Sequence, residues 1–419
     1  MEDLLGLLRA ARAAMTGGAH ADAAAHLARA IALRPGSAEI LNEYGIALAS
    51  AGDFAAASAA LERAAVLAPG IAAIRNNLGN AYRGLGRLPD AAAQYRAALD
   101  LDPGYAEAEG NFGTVLQLAG LPDAAEDAYR RALIQKPDDA LIRTHLGTAL
   151  AAQGRLADAE TEHRAALDRA PGLAEAHNNL AIVLKDCGRF AEARESYARA
   201  LALRPGDAAL HSNLLMCLCY DPAVPDAALL AAHRDWAAHH ARPARRRFAN
   251  PADPDRPLRI GLLSPDFRDH PVASFVAPVL AGQSGSWRTV CYADLVAPDE
   301  ESERLEGMAF GWCDCTGLSD ASLAARIRED GIDILFDLAG HTAHNRLPLF
   351  GRRAAPVQAS WIGYPATTGL AEMDWRLTDA RADPPGDADA LHTERLLRLP
   401  DCFLCYTPPE EAPPLPPSA

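Results

Sequence analysis

Three polar segments in the second half of the chain, two of them containing glycine, hold the side chains best suited to chemistry. Ser264-Pro265-Asp266-Phe267-Arg268-Asp269-His270-Pro271 places a histidine within four residues of two carboxylates, just ahead of an expected helix. Such a histidine can act as a general base whose tautomer a carboxylate sets, although a single loop histidine more commonly caps a helix or lies at the surface. Asp337-Leu338-Ala339-Gly340-His341-Thr342-Ala343-His344-Asn345-Arg346 carries a glycine suited to a tight turn, followed by several donors. The third segment is Trp361-Ile362-Gly363-Tyr364-Pro365-Ala366-Thr367-Thr368-Gly369. His341, His344 and Asp337 are metal-ligand residue types, but a loop gives them no common face and no metal is expected. Cys402 and Cys405 form a CxxC that Cys313 and Cys315 do not complete at zinc-site spacing; buried or strand thiols are expected. The chain has no GxxxxGK[ST] loop, no GxGxxG after the first expected strand, no HExxH and no GxSxG.

Segments scattered over a hundred residues act together only if a scaffold gathers them. Short apolar runs predict strands at Leu258 to Leu263, Thr289 to Ala293, Ile332 to Leu338, Val357 to Trp361 and Trp375 to Thr378. Amphipathic stretches predict helices at Ala273 to Ala281, Glu300 to Ala309 and Ser319 to Asp330. Strand-helix alternation builds a parallel, doubly wound, Rossmann-like sheet, whose ligands sit beyond the carboxyl ends of the strands. The three polar segments all follow such ends.

The first half reads differently. Pro35, Pro69, Pro103, Pro137, Pro171 and Pro205 are spaced by 34 residues, with an alanine twelve positions before each and another five before. Gly45, Gly79, Gly113 and Gly147 stand ten positions after a proline, and Gly52, Gly86, Gly120, Gly154 and Gly188 mark turns. Small residues at fixed helical positions let two helices approach closely, and the proline stops the second. The pattern predicts a helix-turn-helix solenoid over residues 4 to 207, with capping helices near His211 to Tyr220 and Asp226 to His240, and it resembles the tetratricopeptide repeat. Eight positions after the prolines stand Glu43, Asn77, Asn111, His145, Asn179 and Asn213. Repeated amides on one side of a groove could pair with the backbone of an extended peptide of any sequence, although asparagine also simply suits that position. The expected divisions are 1–220 solenoid, 221–256 helical cap and Pro-rich linker, 257–406 Rossmann-like lobe and 407–419 Pro-rich tail.

With 55 acidic against 40 basic residues, the 419-residue chain has a net charge of -15, which argues against nucleic-acid or anionic-membrane partners. The Arg245 to Arg247 run is expected to be a solvated helix end. Eight cysteines in no disulfide spacing, an acidic start and no long apolar stretch lead to an expected cytoplasmic location.

The three segments, together with Asp401-Cys402-Phe403-Leu404-Cys405-Tyr406-Thr407-Pro408, resemble the catalytic region of the O-GlcNAc transferase and SPINDLY family, glycosyltransferase family 41. The later motifs stand nearer the SPINDLY branch. The resemblance implies the first half of a GT-B type catalytic region and an inverting, metal-independent transfer of GlcNAc or fucose to Ser or Thr of a protein held by the repeat groove. The donor would be UDP-GlcNAc or GDP-fucose, with no resident cofactor. It implies that His270 assists at the acceptor side, and that Asp266, Gly340, His341, Thr342, Asn345, Gly363, Tyr364, Pro365 and Thr367 border the sugar and acceptor. Asn77, Asn111, Asn179 and Asn213 would hold the peptide. No lysine follows Lys185, so the second, diphosphate-binding lobe is expected to be missing and the chain alone to bind donor poorly. A non-catalytic repeat scaffold with a relic lobe is the alternative.

Overall fold

The computed structural model describes residues 3–243, 247–253, 255–295 and 297–408. Arg245, Arg246 and nearly all of the Pro-rich tail lie outside them. By packing, the chain divides into two compact units, Met1–Cys187 and Gly188–Ala419. This division falls inside the sixth repeat, earlier than residue 220, because the capping helices pack with the sheet that follows.

The first unit comprises the pairs α1 (Leu4–Thr16) and α2 (His20–Leu33), α3 (Ala38–Ser50) and α4 (Phe54–Leu67), α5 (Ala72–Gly84) and α6 (Leu88–Leu101), α7 (Ala106–Leu118) and α8 (Pro122–Gln135), α9 (Ala140–Ala152) and α10 (Leu156–Arg169), and then α11 (Ala174–Asp186). The repeat chemistry explains the packing. The register alanines from Ala23 and Ala30 to Ala159 and Ala166 are fully buried. A Cβ on Gly79 or Gly113 would stand 2.6 or 2.7 Å from the ring of Tyr95 or Tyr129, so glycine is what lets the paired helix close. Gly52, Gly86, Gly120 and Gly154 turn the chain at φ between 72° and 86°, a region open chiefly to glycine.

The second unit opens with α12 (Phe190–Leu203), α13 (Ala208–Tyr220) and α14 (Asp226–His240). A seven-stranded parallel sheet follows, built from β1 (Leu258–Ser264), β2 (Trp287–Ala293), β3 (Gly311–Asp314), β4 (Ile334–Asp337), β5 (Val357–Ser360), β6 (Trp375–Asp379) and β7 (Arg395–Leu399) in the order β3-β2-β1-β4-β5-β6-β7. α15 (Pro271–Ala281), α16 (Glu300–Met308) and α17 (Asp320–Glu329) connect the first four strands, and a single turn, α18 (Leu347–Phe350), precedes β5. Leu215 of α13 and Trp236 of α14 share a core with Leu347, Phe350, Leu370 and Met373 of the lobe.

The order reverses between β1 and β4, both flanked by parallel neighbours, and this switch point opens the crevice in which such sheets bind ligands. Two edge strands go beyond the five expected. β3 is four residues long with a glycine and an aspartate, and β7 carries Arg395 and Arg398 in a largely accessible strand. Neither makes the apolar run by which buried strands are recognised.

Candidate active site

His270 is the N-cap of α15. Its backbone is extended, at φ -156°, and its Nδ1 accepts the Val272 N–H at 3.3 Å. A nitrogen that accepts carries no proton, so the neutral ring in this pose holds its hydrogen on Nε2. Asp266 Oδ2 lies 3.9 Å from the same Nδ1, near enough to take over that atom if the ring turns. Asp269 donates its N–H to Asp299 Oδ2 at 2.8 Å, tying this loop to the cap of α16. The half-exposed ring of His270 opens into a cavity of about 580 Å³, lined also by Asp269, Ser274, Glu301, Arg304 and Tyr406.

The loops after β4 and β5 meet through two glycines. Asp337, at the end of β4, is 2% exposed, and its carboxylate accepts the N–H groups of Ala339 and Gly340 at 3.2 and 2.9 Å. Burial pushes this carboxyl up to about 6, against the pull of those two donors. Gly340 turns at φ 57°, and a Cβ there would stand 2.1 Å from Cβ of Tyr364. A Cβ on Gly363 would stand 1.8 Å from the carbonyl oxygen of Leu338. Between Trp361 and Gly363, Ile362 has φ 55° and is spanned by a Gly363 N–H to Trp361 carbonyl bond of 2.8 Å. A β-branched residue at the centre of such a three-residue turn is strained, and strain of this kind gathers at functional sites.

His341 and Tyr364 lie inside the lobe and do not face the crevice. The His341 Nε2 donates to the Thr368 carbonyl at 2.9 Å, and its Nδ1 accepts the Ser212 hydroxyl of α13 at 3.0 Å. The ring packs edge-on to Trp236 at 4.6 Å, and burial holds its pKa well below the ordinary value. His233 Nδ1 donates to the Leu229 carbonyl at 2.7 Å, and its Nε2 accepts the Tyr364 hydroxyl at 2.8 Å; burial pushes this imidazole down to about 4. The Tyr364 hydroxyl also faces Cys219 Sγ at 3.1 Å, and burial raises its pKa well above the ordinary value. The two residues therefore bind the loops to α13 and α14. Thr342 and Asn345 close a local turn through bonds to the Ala339 and Thr342 carbonyls, each 2.9 Å. His344 and Pro365 are exposed.

Glu394, 3% exposed at the foot of β7, escaped the sequence because no motif surrounds it. Its carboxylate accepts the Thr367 hydroxyl at 2.5 Å, the Thr368 N–H at 2.7 Å and the Thr368 hydroxyl, which fixes the far end of the β5 loop. At the carboxyl end of the sheet Arg346 is locked between Asp294 and Asp320 at 2.7 and 2.9 Å, Arg304 pairs with Glu301, and Arg268 faces Asp266 at 3.9 Å. Among the described residues no three His, Cys, Asp or Glu side chains converge as metal ligands.

Three of the repeat asparagines bond to side chains of the preceding repeat. Asn77 Nδ2 donates to Asn42 Oδ1 and Asn111 Nδ2 to Asn76 Oδ1, both at 2.9 Å, and Asn179 Nδ2 donates to Thr148 Oγ1 at 3.0 Å. Each bond joins successive repeats. Glu43 pairs with Arg12 at 3.1 Å and His145 lies 3.4 Å from Glu175. The asparagines stay half-buried, and Asn213 lies on α13 in the second unit.

Residues 237–407 match the profile of Glycosyl transferase family 41. Residues 8–70, 45–106 and 111–174 match one tetratricopeptide-repeat profile and 174–207 another. Over 200 residues the chain is 44% identical to the probable UDP-N-acetylglucosamine–peptide N-acetylglucosaminyltransferase SPINDLY of Arabidopsis thaliana, covering 46% of this chain and 22% of that protein. Over 149 residues it is 34% identical to the probable transferase SEC of the same plant, covering 35% and 15%. The solved structure of a mutant Thermobaculum terrenum O-GlcNAc transferase superposes with a TM-score of 0.69 at 36% identity, over 75% of this chain and 61% of that one. The chain spans about a fifth of the length of the plant relatives.

Proposed function

We propose that this chain, a tetratricopeptide array joined to a glycosyl transferase family 41 region, supplies the acceptor-binding solenoid and first catalytic lobe of a protein O-glycosyltransferase. The observation that carries the proposal is His270, held at a helix N-terminus beside the switch point of a parallel sheet with its ring open to a cavity. In the reaction a Ser or Thr hydroxyl attacks the anomeric carbon of GlcNAc or fucose, and the nucleoside diphosphate leaves from the opposite face. The hydroxyl must lose a proton and the diphosphate must be neutralised.

With Nδ1 accepting from Val272, His270 presents Nε2–H as a donor that can orient the incoming oxygen. To take a proton at Nε2, the ring must give up the cap bond and carry hydrogen on Nδ1, where Asp266 can receive it. The guanidiniums of Arg268, Arg304 and Arg346 each face a carboxylate, so the diphosphate is left to groups beyond them, and no metal or resident cofactor enters the proposal. The solenoid would hold protein acceptors, in a cytoplasm that keeps the thiols reduced.

The test is transfer of labelled sugar from UDP-GlcNAc or GDP-fucose to cellular proteins by the full-length protein, with chelator present. Label on Ser or Thr from one donor is expected. No transfer from either would overturn the proposal and leave a binding scaffold.

A further inference from the structure

Where β1, β2 and β4 begin, the second unit holds another cavity, of about 860 Å³, walled by Arg247 to Pro251, Arg256 and Pro257 of the linker, the first residues of β1 and β2 and the end of α17. Five arginines line it, Arg247, Arg256, Arg259, Arg288 and Arg328, against the single carboxylate of Glu329, in a chain whose net charge is -15. Arg256 has a structural partner: its Nη1 and Nη2 lie 2.8 and 2.6 Å from the two Asp333 oxygens, which fixes the linker wall.

Arg259 and Arg288 are placed differently. They are direct partners in the β1–β2 register, and their neighbours Leu258, Ile260, Trp287 and Thr289 line a groove on the other face. Both guanidinium stems thus leave the same face of adjacent strands, roughly 5 Å apart. Like charges so placed repel. Arg259 Nη1 donates to the Asp330 carbonyl at 2.6 Å and Arg288 lies over the Phe310 ring at 4.6 Å; among the described residues neither forms an ion pair with a carboxylate.

Two adjacent guanidiniums offer paired donor forks suited to phosphate oxygens, and an anion between them turns repulsion into attraction. The cavity is of small-molecule size, with Phe248 and Pro257 as an apolar wall. We infer that it binds a small organic molecule carrying two or more phosphates, with the phosphates between Arg259 and Arg288 and the organic body against Phe248. The inference does not depend on the transfer chemistry.

Calorimetry and thermal melting of the whole chain at constant ionic strength test it, with inorganic pyrophosphate and ADP as probes. Both are expected to bind at submillimolar concentration and to raise the melting temperature, ADP more tightly by several-fold. Arg259→Gln with Arg288→Gln is expected to weaken both at least tenfold, yet without anion to melt no lower than wild type, since a repulsion is removed. Absence of binding at millimolar probe, or equal binding by the double variant, would overturn the site. Pyrophosphate binding with ADP excluded would overturn the organic ligand.

Discussion

His163 fills with an imidazole the slot that Tyr95 and Tyr129 fill with phenols in the two preceding repeats. All three are fully buried. Tyr95 donates to Asn80 at 2.7 Å and Tyr129 to Gln117 at 3.1 Å, but neither ring nitrogen of His163 finds a partner among the described residues. An unmade buried hydrogen bond costs about 1–3 kcal/mol. Gly147 leaves the same gap for the ring that Gly113 leaves for Tyr129, and Thr148 stands where Thr114 receives the Tyr129 hydroxyl. His163→Tyr should therefore raise the melting temperature of the first unit by several degrees. A lower melting temperature would mean that the slot has closed around the smaller ring. Burial pushes His163 down to about 4, so the tyrosine variant should also lose less stability in acid.

At the level of elements, histidines join α13 and α14 to the loops that shape the crevice. Burial pushes His211 and His233 down to about 4 and holds His341 well below its ordinary value. An unfolded imidazole takes up its proton near pH 6.5. Their contribution to stability is thus complete above about pH 6.5 and is lost as pH falls towards 4, each by at most ~1.4 kcal/mol per pH unit. Asp337, raised to about 6, works the other way, contributing below an unfolded value of about 3.9 and losing that contribution as pH rises through 6. Three imidazoles outweigh one carboxyl. Melting of the second unit should fall steadily from pH 6.5 to 4.5, and His233→Gln should flatten the decline; a wild-type curve that is level over this range would contradict the assignment. These contacts explain what could be foreseen. The 34-residue register and the strands around Leu262, Leu335 and Ala359 were legible because buried runs and small residues at fixed spacing are local signals. The partners of His341 and Tyr364 were not, since Ser212 and His233 lie more than 120 residues away and on helices that read only as caps. Nor does an asparagine in a repeat announce that its amide, as at Asn77 and Asn111, bonds to the preceding repeat.

Across the whole molecule, the proposed function gives protein acceptors to the solenoid and the reacting hydroxyl to the sheet lobe, with His270 proposed as the side chain that meets it. A helix cap and an acid-base group respond differently to deletion. Losing a cap costs about 1 kcal/mol of stability and little chemistry, whereas losing a general acid or base costs roughly 10²- to 10⁴-fold in rate. His344, exposed on its loop, serves as the comparison. The decisive measurement is turnover and melting temperature of His270→Ala and His344→Ala in the full-length protein, on the same preparations. At least a hundredfold lower turnover is expected for His270→Ala at a nearly unchanged melting temperature, and a smaller loss for His344→Ala. A His270→Ala protein that keeps most of its turnover but melts several degrees lower would contradict the proposal.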